Sequence, residues 1–390
     1  MQIIIAGVGS GNNLNLTYEA RNAIIKAKCI LSAKRHESLI PPGKKIIRLE
    51  NLNEAVNLIS NESEILILVS GDPGVFSLMP FIKNHFPEAD IKILPGISSL
   101  QILCAKVFET WNDALILSGH GRELDRGIFL NNVLRNNKII LFCDDKNSPD
   151  VICKWFSENN LNLNITIGEN LGLPDEKIYN GQPEDFVNNK FKSLCVILIK
   201  NPETVKDNKY IYDKDFTRLE NIPITNEITR AVILSRLQVY DKKIFWDIGC
   251  GTGSISVCAG LENINLQVHS IDINPDAANL TQINAKNFKL HNINIHAGNI
   301  LNLMSGLPKP DLIFIGGSDG DLKNILDEIL KLENNFKLVI SCITPENFNV
   351  AFEILSKLKN FECVQIQANI YNGIFMKANN PAIILSAEKV

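Results

Sequence analysis

Phe245-Trp-Asp-Ile-Gly-Cys-Gly-Thr-Gly-Ser254 decides the fold of the second half of this 390-residue chain. The run Ile244–Ile248 reads as a strand, glycines 249, 251 and 253 as a tight turn, and Ser254–Leu261 as a helix. Glycines suit that turn because the backbone bends sharply and a ligand approaches without a Cβ in its way. The spacing is Gly-x-Gly-x-Gly. A dinucleotide fingerprint needs glycine at 254, where Ser254 stands. This tilts the reading from a nicotinamide cofactor towards S-adenosylmethionine.

The next strand, Gln267–Ile271, runs into Ser270-Ile-Asp-Ile-Asn-Pro275. Asp272 follows the glycines by about 20 residues, the position of a ribose-binding acid. Alone, it also reads as a cap for the helix Pro275–Asn287. Two more strand ends, Gly298-Asn-Ile300 and Phe314-Ile-Gly-Gly-Ser318, fall at the same carboxyl edge, where open α/β sheets bind ligands. Asp247 has two readings: orienting the loop backbone, or reaching the methionine amine.

Outward from this site, short β-branched runs alternate with amphipathic stretches over nearly the whole chain, the pattern of parallel α/β sheets. Strands are expected at Ile3–Ala6, Ile65–Val69, Ile91–Leu94, Ala114–Leu117 and Lys138–Phe142. Helices are expected at Thr17–Lys28, Val75–His85, Ser98–Val107 and Leu124–Arg135. After a strand at Cys195–Lys200 the segment Asn201–Asn221 is polar and reads as a linker. This sets domains at 1–204 and 205–390. The second domain continues with strands Ile293–His296, Leu312–Ile315 and Lys337–Ser341. Tail strands Cys363–Ile370 and Ala382–Ser386 are expected to close a sheet edge as an antiparallel pair.

The formal charge is -4, from 39 basic and 43 acidic residues. A sequence-independent nucleic-acid binder would carry a basic excess, so no nucleic-acid partner is expected. No apolar run approaches the ~18 residues of a membrane span, and the glycine-broken start Met-Gln-Ile-Ile-Ile-Ala-Gly-Val-Gly is not expected to be a signal peptide. Nine cysteines are scattered without a Cys-x-x-Cys, which implies reduced thiols, a cytoplasmic location and no bound metal.

Ile224-Thr-Asn-Glu-Ile-Thr-Arg230, Asp247-Ile-Gly-Cys-Gly-Thr-Gly-Ser-Ile-Ser256 and Phe314-Ile-Gly-Gly-Ser-Asp-Gly320 resemble the precorrin-6B C15-methyltransferase (decarboxylating) family of cobalamin biosynthesis. The resemblance implies a class I (Rossmann-like) methyltransferase fold, usually oligomeric. It also implies an S-adenosylmethionine site formed by Thr225, Gly249, Cys250, Gly251, Thr252, Gly253, Asp272, Gly298, Asn299 and Ile300. Where that family has Gly-Asp, this chain has Gly298-Asn299.

The first half carries Ala6-Gly-Val-Gly-Ser-Gly11, Val69-Ser-Gly-Asp-Pro-Gly-Val-Phe-Ser77 and Leu94-Pro-Gly-Ile-Ser-Ser99. Singly, each is an ordinary turn. In this order they resemble the tetrapyrrole methylase family. Ser118-Gly-His-Gly-Arg122, Asp144-Asp-Lys-Asn-Ser-Pro149 and Gly168-Glu-Asn-Leu-Gly-Leu-Pro-Asp175 narrow the likeness to its precorrin-6Y C5-methyltransferases. The resemblance implies a two-lobed α/β fold with S-adenosylmethionine in the cleft, lined by Gly7, Val8, Gly9, Asp72, Pro73, Val75, Ser98 and Ser99. His120 reads equally as a loop hydrogen-bonder or a catalytic group.

Together the two resemblances imply methylation of a tetrapyrrole, a precorrin or cobalt-precorrin, at C5 and C15, with loss of the C12 acetate carboxyl. Methyl transfer mainly requires alignment of donor and acceptor, so the absence of a catalytic dyad does not count against it. The substrate's carboxylates call for basic cleft walls, with Arg122, Arg126, Arg218 and Arg230 as candidates. The competing reading is a methyltransferase for RNA or a small molecule, fused to a non-catalytic tetrapyrrole-binding domain.

Overall fold

The computed structural model of the chain describes every residue except 50, 51, 208, 209, 373, 374 and 379. Two compact units emerge: Met1–Leu124 with Asn136–Thr204, and Asp125–Arg135 with Val205–Val390.

The first unit opens with β1 (Gln2–Gly7), α1 (Tyr18–Lys26), β2 (Cys29–Ser32), β3 (Lys45–Arg48), α2 (Leu52–Ser60) and β4 (Glu64–Val69). It continues through α3 (Met79–His85), β5 (Asp90–Leu94), α4 (Ser99–Lys106) and β6 (Leu115–Ser118). Helix α5 (Arg126–Arg135) belongs to the second unit. The chain then returns with β7 (Lys138–Phe142), α6 (Pro149–Glu158), β8 (Asn164–Glu169), β9 (Lys177–Gly181) and β10 (Cys195–Lys200).

These strands build two lobes. The first sheet has order β3-β2-β4-β1-β5 and is parallel throughout. Its central strands are apolar on both faces, with Ile3, Ile5 and Ile67 fully buried, as expected of a sheet covered on both sides. The second sheet, β6-β7-β10-β8-β9, pairs β6 with β7 in parallel and is otherwise antiparallel. Helix α3 is shorter than the expected Val75–His85. It starts at Met79, because residues 72–78 turn around Asp72 and Phe76 holds a left-handed φ of 45°.

The second unit contains α7 (Glu227–Leu237), β11 (Ile244–Ile248), α8 (Ser254–Glu262), β12 (Gln267–Asp272), α9 (Pro275–Asn287) and β13 (Ile293–Ala297). Then follow α10 (Ile300–Leu303), β14 (Leu312–Ile315), α11 (Leu322–Ile329), β15 (Phe336–Cys342) and α12 (Pro345–Leu355). The unit ends with β16 (Lys359–Ile366), the hairpin β17 (Asn369–Asn372) and β18 (Phe375–Ala378), and β19 (Ala382–Lys389). Its seven-stranded sheet has order β13-β12-β11-β14-β15-β19-β16, with β19 and β16 antiparallel at one edge. The expected tail pair is therefore present, but its first strand spans Lys359–Ile366.

The segment 201–221 does not behave as a free linker. Phe216 is 5% exposed and joins the core of the second unit with Ile233 and Leu237. Arg230 fixes the segment from α7: its Nη1 donates to Asp213 Oδ1 at 2.9 Å and its Nη2 to the Ile211 carbonyl at 2.8 Å. Polar composition hid this, because the buried partner is itself a charged residue. Among the described residues no helix is long and apolar enough to cross a membrane.

Candidate active sites

In the second unit, β12, β11 and β14 lie side by side and parallel, so their carboxyl ends share one edge. The chain leaving β11 is held there by Gly249 N–H to the Ile271 carbonyl at 2.8 Å, and Gly316 N–H reaches the Ile248 carbonyl at 2.9 Å. Gly249 has φ +73°, and a Cβ on it would sit 2.5 Å from the Gly317 backbone. Only glycine fits this crossing of two strand-end loops. Gly253 caps α8 with φ +74°.

Asp272 ties the edge together. Its Oδ2 accepts from Gly251 N–H at 2.9 Å and its Oδ1 from Asn274 N–H at 2.9 Å. A carboxylate has about four acceptor positions, so both oxygens keep capacity for ribose hydroxyls. Gly298 N–H bonds the Asp272 carbonyl at 2.8 Å, which brings the third strand end alongside. Asn299 caps α10 by accepting from Leu301 N–H at 2.9 Å, and its amide NH2 has no partner among the described residues. Ile300 points into the core at 3% exposure, so only its backbone is available to a ligand. Thr225 lies two residues before α7, next to its N-cap Asn226; the Pro223 carbonyl, two residues earlier, is 3.0 Å from where a Gly251 Cβ would stand. Cys250 is buried, and the buried Thr252 Oγ1 lacks a hydrogen-bond partner among the described residues. A glycine cradle, an anchored carboxylate and an orphaned hydroxyl fit a polar, ribose-bearing cofactor.

Asp247, read from the sequence as orienting the loop or reaching the methionine amine, keeps its Oδ1 without a hydrogen-bond partner among the described residues. It is fully buried beneath the loop and accepts from the Ser256 hydroxyl, which lies 2.6 Å from Ser270 Oγ. Burial pushes its carboxyl up to about 7, against the Ser256 hydrogen bonds. Arg230, a candidate substrate contact from the sequence, is 2% exposed and spends its guanidinium on Asp213, Ile211 and Thr225. Arg218 is exposed on the same unit.

In the first unit three glycine-bearing loops converge. A Cβ on Gly7 would stand 2.6 Å from the Gly71 carbonyl and 2.7 Å from Gly96 Cα. The ends of β1, β4 and β5 thus meet at a distance that side chains would forbid. Asp72 staples two of the loops, accepting from Gly74 N–H at 2.7 Å and Gly96 N–H at 2.9 Å. Beside this junction lies a cleft of about 580 Å³. Gly9, Val75, Ser98 and Ser99 line it; Gly7, Val8, Asp72 and Pro73 do not. His120 also lines it and is bonded through Nδ1 to the Cys143 carbonyl at 3.2 Å. Arg122 lies over the Phe76 ring at 5.3 Å. Arg35, His36 and Ser70 line the same cleft; the first two were not singled out from sequence, because nothing local to them forms a motif, and Ser70 was read only as part of the Val69–Ser77 turn.

The model for tetrapyrrole (corrin/porphyrin) methylases matches residues 2–186, and that for the precorrin methyltransferase domain matches residues 219–372. A cobalt-precorrin-6B C(15)-methyltransferase (decarboxylating) of Salmonella typhimurium is 35% identical over 184 residues, 45% of this chain and 95% of that protein. A probable cobalt-precorrin-7 C(5)-methyltransferase of Methanocaldococcus jannaschii is 32% identical over 213 residues, 52% of this chain and 100% of that protein. A precorrin-6Y C(5,15)-methyltransferase [decarboxylating] of a Sinorhizobium species is 25% identical over 353 residues, covering 88% of this chain and 85% of its own. With its two cradles matched by two families, the chain belongs to the precorrin methyltransferases of cobalamin biosynthesis, S-adenosylmethionine-dependent enzymes, and carries a tetrapyrrole methylase domain ahead of the precorrin methyltransferase domain.

Proposed function

We propose that this chain methylates one corrin precursor twice, at C5 in the first unit and at C15 in the second, and removes the carboxyl of the C12 acetate in the second step. The observation that carries this reading is that each unit has its own strand-end cradle, built from unrelated sheets. A cytoplasmic, homo-oligomeric enzyme is part of the same proposal and rests on the family resemblance.

S-adenosylmethionine supplies an electrophilic methyl group. The residues of each cradle hold and orient. In the second unit Asp272 would take the ribose hydroxyls, the glycine loop would admit the ligand to the backbone, and Gly298–Ile300 with Thr225 would complete the pocket. In the first unit Gly9, Val75, Ser98 and Ser99 would do the same from the cleft wall. The methyl joins a nucleophilic ring carbon in line with the breaking carbon–sulfur bond, and alignment supplies the rate. When the acetate carboxylate leaves as carbon dioxide, its bonding electron pair passes into the conjugated macrocycle and a proton from solvent then completes the methyl left behind; the protein would desolvate and position that side chain.

The test is incubation of the full chain with methyl-labelled S-adenosylmethionine and a precorrin acceptor, followed by product analysis. Two labelled methyls and one carbon dioxide per macrocycle are expected. Label at only one carbon, or two methyls without carbon dioxide, removes the corresponding half of the proposal.

A further inference from the structure

We propose that Arg35 and Arg122 form a carboxylate clamp in the first unit's cleft, and that His36 is the residue that positions Arg35. The proposal rests on the tetrapyrrole reading above and assigns it a specificity determinant. Among the described residues the cleft wall carries these two arginines and no Asp or Glu. Neither arginine forms an ion pair among the described residues; Arg35 bonds only neutral groups, and Arg122 stacks on Phe76. Two exposed guanidiniums facing one cleft without a counter-charge are a site for anions, and a planar fork favours carboxylates.

Arg35 is held rather than free. Its Nη2 donates to Ser70 Oγ at 2.6 Å and its Nε donates to His36 Nε2 at 3.3 Å; His36 Nε2 and Ser70 Oγ lie 2.8 Å apart. The triangle has one consistent proton assignment. Ser70 accepts from Arg35 and donates its own proton to His36, so Nε2 must be the bare nitrogen of a neutral ring. Burial, with the Arg35 charge second, pushes His36 down to about 4, which keeps the ring neutral at working pH. The ring is 1% exposed and packs so close to Gly11 that a Cβ there would meet its Nδ1 at 2.9 Å. Two of the five guanidinium N–H groups are used. The remaining three have no partner among the described residues and are open to a carboxylate, on a plane that His36 and Ser70 have already set. Arg122 is set in turn by Phe76, which packs edge-to-face on Phe142 at 5.7 Å. Such preorganisation lowers the ordering cost of binding a polycarboxylate macrocycle.

The experiment uses the full chain and follows methyl incorporation at C5 of the precorrin, with S-adenosylhomocysteine affinity measured by calorimetry. Arg35→Met and Arg122→Met are each expected to raise the tetrapyrrole KM about tenfold or more, the loss of a charged hydrogen-bond pair, with S-adenosylhomocysteine affinity held within about twofold. Arg35→Lys recovers little, because the fork is lost. His36→Leu is expected to match Arg35→Met, whereas His36→Gln, which keeps an acceptor near the Nε2 position, recovers most of the KM. A thermal midpoint measured on each variant separates unfolding from loss of the clamp. Unchanged tetrapyrrole KM in both arginine variants overturns the clamp and leaves the proposed function standing. Weaker S-adenosylhomocysteine binding with unchanged tetrapyrrole KM also overturns it, and gives the arginines to the cofactor's carboxylate. Equal losses in His36→Leu and His36→Gln overturn the positioning role. A native chain that places no label on a tetrapyrrole removes the underlying reading and the clamp with it.

Discussion

Asp247 shows how burial shifts the ionisation of a carboxyl beside a glycine loop. It lies one residue before Ile248, under the glycine loop, with no exposure to solvent. Its carboxyl would ordinarily ionise near 3.8, and burial raises it to about 7. Between those values the folded chain holds a proton that the unfolded chain has released. The associated stability is therefore full below about 4 and is lost as pH rises through 7, a swing on the order of 4 kcal/mol. Asp247→Asn keeps the shape and the acceptor for Ser256 but cannot ionise. The variant is expected to flatten the pH dependence of unfolding of the second unit between pH 4 and 8, measured by denaturant titration. An unchanged slope would mean that Asp247 ionises in the folded chain without cost. The sequence placed this residue beside the loop. It did not reveal the burial, because Ser256 and Ser270 come from the next helix and strand.

At the scale of the element, α5 departs furthest from what sequence order suggests. It lies between two strands of the first unit, yet it packs with the second. Asn131 is fully buried and accepts from His291 N–H at 2.9 Å; Asn132 donates to Asn265 Oδ1 at 3.0 Å. Buried asparagines that satisfy backbone groups look like surface residues in a sequence, so the helix was legible and its seat was not. Gly127 sets the approach: a Cβ there would stand 2.1 Å from the His291 carbonyl. Two effects compete in Gly127→Ala. Helix propensity favours alanine by up to about 1 kcal/mol, while forced overpacking costs about 1–3 kcal/mol. The steric term should win, since the obstacle is backbone. The variant is expected to lower the stability of the second unit by roughly 1–2 kcal/mol, read as a shifted denaturation midpoint. A gain in stability would show that the helix seats elsewhere. The segment 211–221 belongs to the same class of miss, since Arg230 and Phe216 bind it through charge and stacking that composition cannot display.

Across the whole molecule, what was legible follows the reach of the chemistry. Both glycine systems could be read because the tight turns after β11 and β1 put glycines at positive φ within one short stretch, at Gly249, Gly251 and Gly253 and at Gly9 and Gly11, although the loops they cross lie far off in sequence. The Arg35–Ser70 pairing joins residues 35 positions apart, and the arginine across the cleft, Arg122, lies on the other lobe. No contiguous pattern encodes that meeting. The two cradles also differ in what holds them open: Asp272 bonds its own glycine loop in the second unit, whereas Asp72 in the first is bonded to two loop N–H groups and does not line the cleft. Removing each carboxylate should therefore have distinct consequences. Asp272→Ala deletes the proposed ribose acceptor and a loop tie at once, so calorimetry with S-adenosylhomocysteine is expected to fall from two sites per chain to one, with methyl incorporation surviving at C5 alone. Asp72→Ala loosens the junction of β4 and β5 and is expected to lower affinity at the first site by about tenfold, as the loss of two charge-assisted hydrogen bonds implies, while leaving C15 methylation intact. If either substitution abolished both sites, the two units would not be acting as separate catalysts, and a chain with one shared cofactor site would have to replace the two-site enzyme.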